Sequence, residues 1–131
     1  MTTREDVKAR IEAIEEAYEF FLAYAAQGVS GDRAAKSGGQ LREFMARAVD
    51  ALEGLGDRFR AAVQEAEPEG GDAWAPMLDV LDRDARAAHA AVGLVAEQAS
   101  ISSQLVDNLN ANIHLRAVLT DLFLVDEILK G

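Results

Sequence analysis

The 131-residue chain has no cysteine, two prolines and few aromatic side chains, 6% in all. Without thiols there is no disulfide framework, no thiolate nucleophile and no cysteine-ligated zinc. Prolines occur only at Pro68 and Pro76, so long stretches lack the residue that most strongly breaks helices. The scarcity of aromatics leaves alanine and leucine to fill the core, which favours helices over sheets. Long hydrophobic runs are also missing. The longest run of large apolar residues is Leu122-Phe123-Leu124-Val125, far short of the ~20 residues that span a bilayer. The start, Met1-Thr2-Thr3-Arg4-Glu5-Asp6, turns acidic at once, unlike the basic start and apolar run of a signal peptide. The expectation is a cytoplasmic protein with no membrane partner.

Positive charge is scarce. Lysine and arginine number 13 against 23 aspartates and glutamates, a net charge of −10. Arg116 is the only lysine or arginine between residues 87 and 129. A phosphate backbone repels such a chain unless basic residues cluster. They do not, so no nucleic-acid partner is expected. The acidity favours solubility and would suit a basic partner.

What is present is periodic. The length fits one domain, residues 1–131, and four segments place apolar residues at alternating spacings of three and four. The first, about 3–27, carries Val7, Ile11, Ile14, Tyr18, Phe21 and Ala25, with Glu12, Glu15, Glu16 and Glu19 opposite. Thr2 and Glu5 form a capping-box pair at its start, and Gly28 is a natural stop. The second, about 38–67, repeats Leu41, Met45, Ala48, Leu52, Leu55, Phe59, Ala62 and Ala66 without interruption. Ser37 with Gln40 reads as a capping pair, and Pro68 with Gly70-Gly71 ends the segment. The third, about 72–99, carries Trp74, Leu78, Leu81, Ala85, Ala88, Val92, Val95 and Ala99. Asp72 is its expected N-cap, with Pro76 in the first turn.

The fourth segment, about 102–130, differs. Beyond Leu115, apolar residues cover most of its circumference: Val118, Leu119, Leu122, Phe123, Leu124, Val125, Ile128 and Leu129. No helix of a four-helix bundle is central, so this pattern predicts a second contact surface. The fold predicted is all-α, an antiparallel up-down four-helix bundle that dimerises through its C-terminal helix. The link 28–37 is long for a bundle hairpin and is expected to be mobile or partner-binding. Residues 98–103 contain neither glycine nor proline, which leaves open one continuous, kinked helix across the third and fourth segments.

Several polar residues are candidates for function. Asn108, Asn112 and Arg116 follow one another at i, i+4 and i+8 beside Leu105, Leu109, Leu119 and Phe123. Asparagine among core leucines fixes register or oligomeric state, and an enclosed arginine needs a carboxylate from elsewhere. Asn108, Asn112, Arg116, Leu122 and Phe123 are therefore the expected interface residues. Asp107, Asn110, His114 and Asp121, at +3, +7 and +14, line one face of a continuous helix. Asp107, His114 and Asp121 are the candidate metal ligands, although a full carboxylate–histidine set is missing. Tyr18 and Trp74 fall on core stripes, where packing explains them. Ser100, Ser102 and Ser103 cluster before a helix, where serine caps are expected.

The stretch Ala88-His89-Ala90-Ala91-Val92-Gly93 resembles the motif of histidine phosphotransfer domains, which carry an exposed helical histidine with lysine at +3 and glycine at +4. That resemblance implies a phosphoryl-accepting His89, with Gly93 leaving room for a partner. Val92 stands where the lysine would be, so Arg86 would have to supply the cation. Arg83-Asp84 followed by His89 similarly resembles the ribonuclease motif of helical toxin-like domains.

The reading that uses most of these features is a non-enzymatic, homodimeric, helical-bundle protein acting by protein–protein interaction, with no cofactor. The alternatives are a phosphotransfer-like signalling module through His89, Arg86 and Gly93, or a carboxylate/histidine metal-binding bundle.

Overall fold

The computed structural model describes residues 1–33 and 35–130. Every regular element among them is helical: α1 (Thr3–Ala26), α2 (Gly38–Leu52), α3 (Leu55–Ala66), α4 (Trp74–Ala96), α5 (Ser103–Ala111) and α6 (His114–Lys130), with one turn of 3-10 helix at Gly71–Ala73. Among the described residues no helix is long and apolar enough to cross a membrane.

The periodic residues form the core. Ile14, Phe21, Leu41, Met45, Phe59, Leu81, Val92, Val118 and Leu122 are fully enclosed; each large side chain so buried contributes about 2 kcal/mol. The stripe on α1 drifts along the helix. Ala17 and Tyr24 are buried, while Tyr18 and Ala25 are only partly so. The upper end of α1 turns toward the link between α4 and α5, where the Tyr24 hydroxyl donates to the Ile101 carbonyl at 2.7 Å.

Two expected helices are each split. The apolar repeat of residues 38–67 does run on, with both Leu52 and Leu55 buried, but the backbone between them breaks. Gly54 adopts φ +66°, a left-handed conformation that glycine takes without steric cost and that ends helices. Periodicity reports which side chains face the core, and a two-residue break, Glu53–Gly54, that preserves the facing is invisible to it. The second split lies at Asn112–Ile113. Ile113 has φ +69°, unusual for a β-branched residue, and Asn112 Oδ1 accepts the His114 N–H at 3.3 Å. The third and fourth segments are separate helices, because α4 stops at Ala96 and α5 starts at Ser103.

The caps agree in part. The Thr2 hydroxyl accepts the Glu5 N–H at 3.1 Å and donates to its carboxylate at 3.0 Å. Ser102 likewise accepts from Leu105 N–H at 3.0 Å. Ser37 does not cap α2; its hydroxyl donates to Gln27 Oε1 at 3.0 Å. Asp72 lies in the 3-10 turn, and the residue before α4 is Ala73.

The link between α1 and α2, expected to be mobile or partner-binding, is held by hydrogen bonds at Asp32. Asp32 is buried. Its Oδ2 accepts Arg42 Nε at 2.8 Å, and its Oδ1 accepts Arg42 Nη2 at 3.3 Å and the Ile101 N–H at 2.7 Å. Arg42 then donates from Nη1 to the Ala96 carbonyl and from Nη2 to the Gln98 carbonyl, both at 2.8 Å. Ser103 closes the array: its hydroxyl donates to Tyr24 O at 2.6 Å and accepts Val29 N–H at 3.0 Å. Gly38 is required here, since a Cβ would collide with the Asp32 carbonyl oxygen. The Arg42 guanidinium, aided by the Ile101 N–H, holds the Asp32 carboxyl below the usual carboxylate range against the opposing effect of burial.

Neighbouring helices run antiparallel. Along α1 and α2–α3, Glu16 pairs with Arg47, Arg10 reaches the Glu53 carbonyl and Thr3 reaches Glu65. Between α2–α3 and α4, Arg42 meets Ala96, Glu53 meets His89 and Arg60 meets Asp79. Val125 and Ile128 of α6 lie beside Trp74 and Met77 of α4. Arg4 of α1 pairs with Asp126 of α6 at 3.7 Å.

Removing Asp32 should leave Arg42 and Ile101 N–H without their acceptor. Asp32→Ala is expected to cost about 3 kcal/mol in urea unfolding. Because folding lowers the carboxyl's pKa, its contribution is complete above the ordinary carboxylate value and is lost as pH falls through the depressed one. The parent should therefore lose more stability than the variant on acidification. At the other break, Ile113→Gly should raise the melting temperature by an amount equivalent to about 1 kcal/mol, since glycine removes the left-handed strain.

Candidate interaction face

Large apolar residues left in solvent are concentrated on two helices. Of the eight that are exposed, six lie on α4, on α6 or at the break before α6: Val80, Leu94, Ile113, Phe123, Leu124 and Ile128. Leu94 is 68% exposed, Ile113 55% and Leu124 52%. Val80, Ala87 and Leu94 recur every seven residues along α4, and Ala117, Leu124 and Ile128 follow helical spacing along α6. Such rows share a face. Scattered exposed leucines are ordinary, but a contiguous apolar face marks a contact surface.

A pair of carboxyls sits in the seam between those helices. Burial first, then the neighbouring Asp84 carboxyl, pushes Asp121 up to about 7. Two acids this close repel each other when both are ionised, which favours the neutral form of Asp121. The Oδ2 atom of Asp121 is enclosed and has no hydrogen-bond partner. Further along the same seam, Gly70, Ala73, Trp74 and Met77 face Val125 and Ile128 across an apolar cleft of about 140 Å³. The Trp74 indole is fixed there by donating to the Glu69 carbonyl at 2.9 Å.

The residues singled out from sequence disperse. Asn108, Asn112 and Arg116 are all exposed, and the break at Ile113 interrupts the straight stripe they were expected to form. Asn108 accepts from Gln104 at 3.3 Å, and Asn112 serves as the C-cap of α5. Leu122 is fully buried in its own chain, whereas Phe123 is exposed. The same break separates Asp107 from His114 and Asp121, so their helical offsets do not converge. Among the described residues no group of three or more histidine and carboxylate side chains is placed to hold a metal ion.

His89 faces the opposite way, toward the α2–α3 break. Its Nε2 lies 2.7 Å from Glu53 Oε2, within an open cleft of about 370 Å³ shared with Asp57, Asp82 and Arg86. Arg86 is itself bound to Asp82 at 3.1 Å. A phosphoryl group on His89 would meet those three carboxylates, an unfavourable field for an anion. Gly93 has open space where a side chain would be but does not line this cleft. Asp84 points to α6 and His89 to α2, so the Arg83, Asp84 and His89 set is split between two faces.

Val80, Leu94 and Ile113 were not singled out from sequence, and Asp84 was singled out only beside Arg83 and His89. The signal that could have found Val80 and Leu94 is an outward row seven residues apart on a helix whose inward stripe was already complete. Nothing in the sequence pairs Asp84 with Asp121, since only the packing of α4 on α6 brings them together.

Asp121 has a folded-state pKa above its unfolded one, so its site favours folding at low pH and loses that advantage as pH rises from the ordinary carboxylate range toward 7. Asp121→Asn should flatten this slope: urea midpoints measured near pH 5 and near pH 8 should lie closer together in the variant than in the parent. An unchanged slope would mean that burial and Asp84 do not raise the Asp121 carboxyl. Comparison with protein-family models, with curated proteins and with solved structures finds no match to this chain.

Proposed function

We propose that the six helices make an antiparallel four-helix bundle, with α2–α3 as its second rod and α5–α6 as its fourth. We further propose that the protein acts by protein–protein interaction, as a homodimer joined through α6 and the adjoining α4, and not as an enzyme. The bundle reading is supported by the antiparallel neighbours of every rod and by the two breaks that keep the core-facing residues in phase. The dimer reading rests on one observation, the gathering of exposed Val80, Leu94, Ile113, Phe123, Leu124 and Ile128 on α4, on α6 and at the break before α6. An apolar surface of this kind is covered by a partner with about 25 cal/mol gained per Å² removed from water. Leu122 supports the surface from beneath, and Arg116 is at its edge.

Light scattering on the purified parent should give twice the chain mass of 14.1 kDa. Phe123→Asp combined with Leu124→Asp, both at exposed positions, should keep the helical circular-dichroism spectrum and shift the mass to one chain. A parent that scatters as a single chain at every concentration would remove the dimer.

A further inference from the structure

We infer that α6 is a pH-released arm: ionisation of the Asp84 and Asp121 carboxyls in its seam with α4 lifts it from the bundle about the Asn112–Ile113 break, while α1 to α5 stay packed. This is a property of the single chain and does not depend on the dimer.

The break lets α5 and α6 pack on different neighbours. α5 lies mainly on α1, and α6 mainly on α4. α5 is secured at its start, where the Ser103 hydroxyl donates to the Tyr24 carbonyl at 2.6 Å and accepts the Val29 N–H at 3.0 Å. α6 starts afresh at His114, after Ile113 at φ +69°. A β-branched residue in that conformation is strained, and the strain falls away when the segment beyond it is free to turn. At its far end α6 meets α1 through Arg4 and Asp126, 3.7 Å apart with both side chains partly exposed. A pair of that kind holds little. The tie that remains is the inner stripe of Leu115, Val118, Leu119, Leu122 and Val125, and the seam with α4 works against it.

Asp121 stands in that seam with its Oδ2 enclosed and without a hydrogen-bond partner. Of the charged groups that face it, α4 brings Asp84, a like charge. The other helix against α6 is α1, whose Arg4 lies with Asp126, five residues further along. Arg83, beside Asp84 in the chain, and Arg116 on α6 are exposed. Among the described residues neither acid enters an ion pair. The seam therefore accepts Asp121 as a neutral acid and resists it as an anion. Burial and Asp84 raise its carboxyl to about 7, whereas lifting α6 returns it to water and to the ordinary carboxylate value. Opening therefore releases a proton. It is least favoured at low pH, grows as pH rises from the ordinary carboxylate range to about 7, and levels off above. The lifted arm uncovers its own inner stripe and the side chains of α4 beneath it.

The chain has no cysteine, so a single introduced thiol reports opening. Val118→Cys, fully buried on the inner side of α6, should react with a methanethiosulfonate reagent only when α6 lifts. Its labelling rate divided by the rate in urea at the same pH gives the open fraction, free of the thiol's own titration. That fraction should rise at least roughly tenfold from near pH 5 to near pH 8. Near pH 8 it should exceed by at least as much the fraction for Ala48→Cys, fully buried in α2. Far-ultraviolet circular dichroism should be the same at both pH values. Adding Asp121→Asn to the Val118→Cys chain should abolish the rise. Two thiols that label alike near pH 8 would show that α6 does not open by itself, and would overturn the inference. A rise that persists with Asp121→Asn would assign the titration to another group and overturn it equally. So would a helical spectrum lost near pH 8, because the whole bundle would then be unfolding.

Discussion

Helices α1 to α5 have no lysine, arginine or histidine in their last turns, so their terminal carbonyls must be satisfied from elsewhere. Two arginines on neighbouring helices do this in the same way. Arg10 is held at Nε by Asp6 at 3.0 Å, and its Nη1 spreads over the carbonyls of Asp50, Ala51 and Glu53, the last at 2.8 Å. Arg42 is held at Nε by Asp32 and donates to the carbonyls of Ala96 and Gln98. Each aspartate orients a planar fork, and each fork neutralises the negative end of a helix. A cation supplied from a neighbour does more than cap. It fixes where one helix ends relative to the next, so the break at Gly54 and the link after α4 are set by tertiary contacts.

This explains what could be read from the sequence and what could not. The facing of residues such as Leu41, Met45, Phe59, Leu81 and Val92 was legible, because burial in a helix imposes a period that a linear pattern carries. The ends at Pro68 and Gly28 were legible for a similar local reason. The break at Gly54 was not, since glycine within an unbroken apolar repeat is compatible with a continuous helix. The break at Ile113 was less legible still, as isoleucine is a poor choice for a left-handed residue and gives no hint of it. Asp32 and Arg42 are ten residues apart in the chain, and their joint partners, Ala96 to Ile101, are more than fifty residues further on. No local pattern encodes that meeting. For the candidate site, the surplus of apolar residues in α6 was legible, and it leaves Phe123, Leu124 and Ile128 exposed. The contribution of α4 was hidden, because Val80 and Leu94 are single apolar residues among polar and small ones.

Ile113 and the carboxyl pair share a property. Each departs from what stability alone would select: a β-branched residue at positive φ, and two acids set against each other without a cation. Departures of this kind collect where a surface has work to do. Both adjoin the exposed apolar rows of α4 and α6, whereas the enclosed array around Asp32 is fully satisfied. The contrast locates the tension in the molecule on one face and the rigidity at one end.

The two ends of the helices are in fact tied unequally. At one, Tyr24, Val29, Asp32, Arg42, Ile101 and Ser103 interlock through buried and half-buried hydrogen bonds. At the other, the ties are the solvent-facing Thr3–Glu65 bond and the Arg4–Asp126 pair. Amide protons of the last turns of α3 and α6 should therefore exchange with solvent by cheap local fraying, while those of Ile101 and Ser103 wait for an opening nearly as costly as global unfolding. Opening should therefore begin at the loosely tied end, and the slow end should be the one the Asp32 carboxyl holds shut.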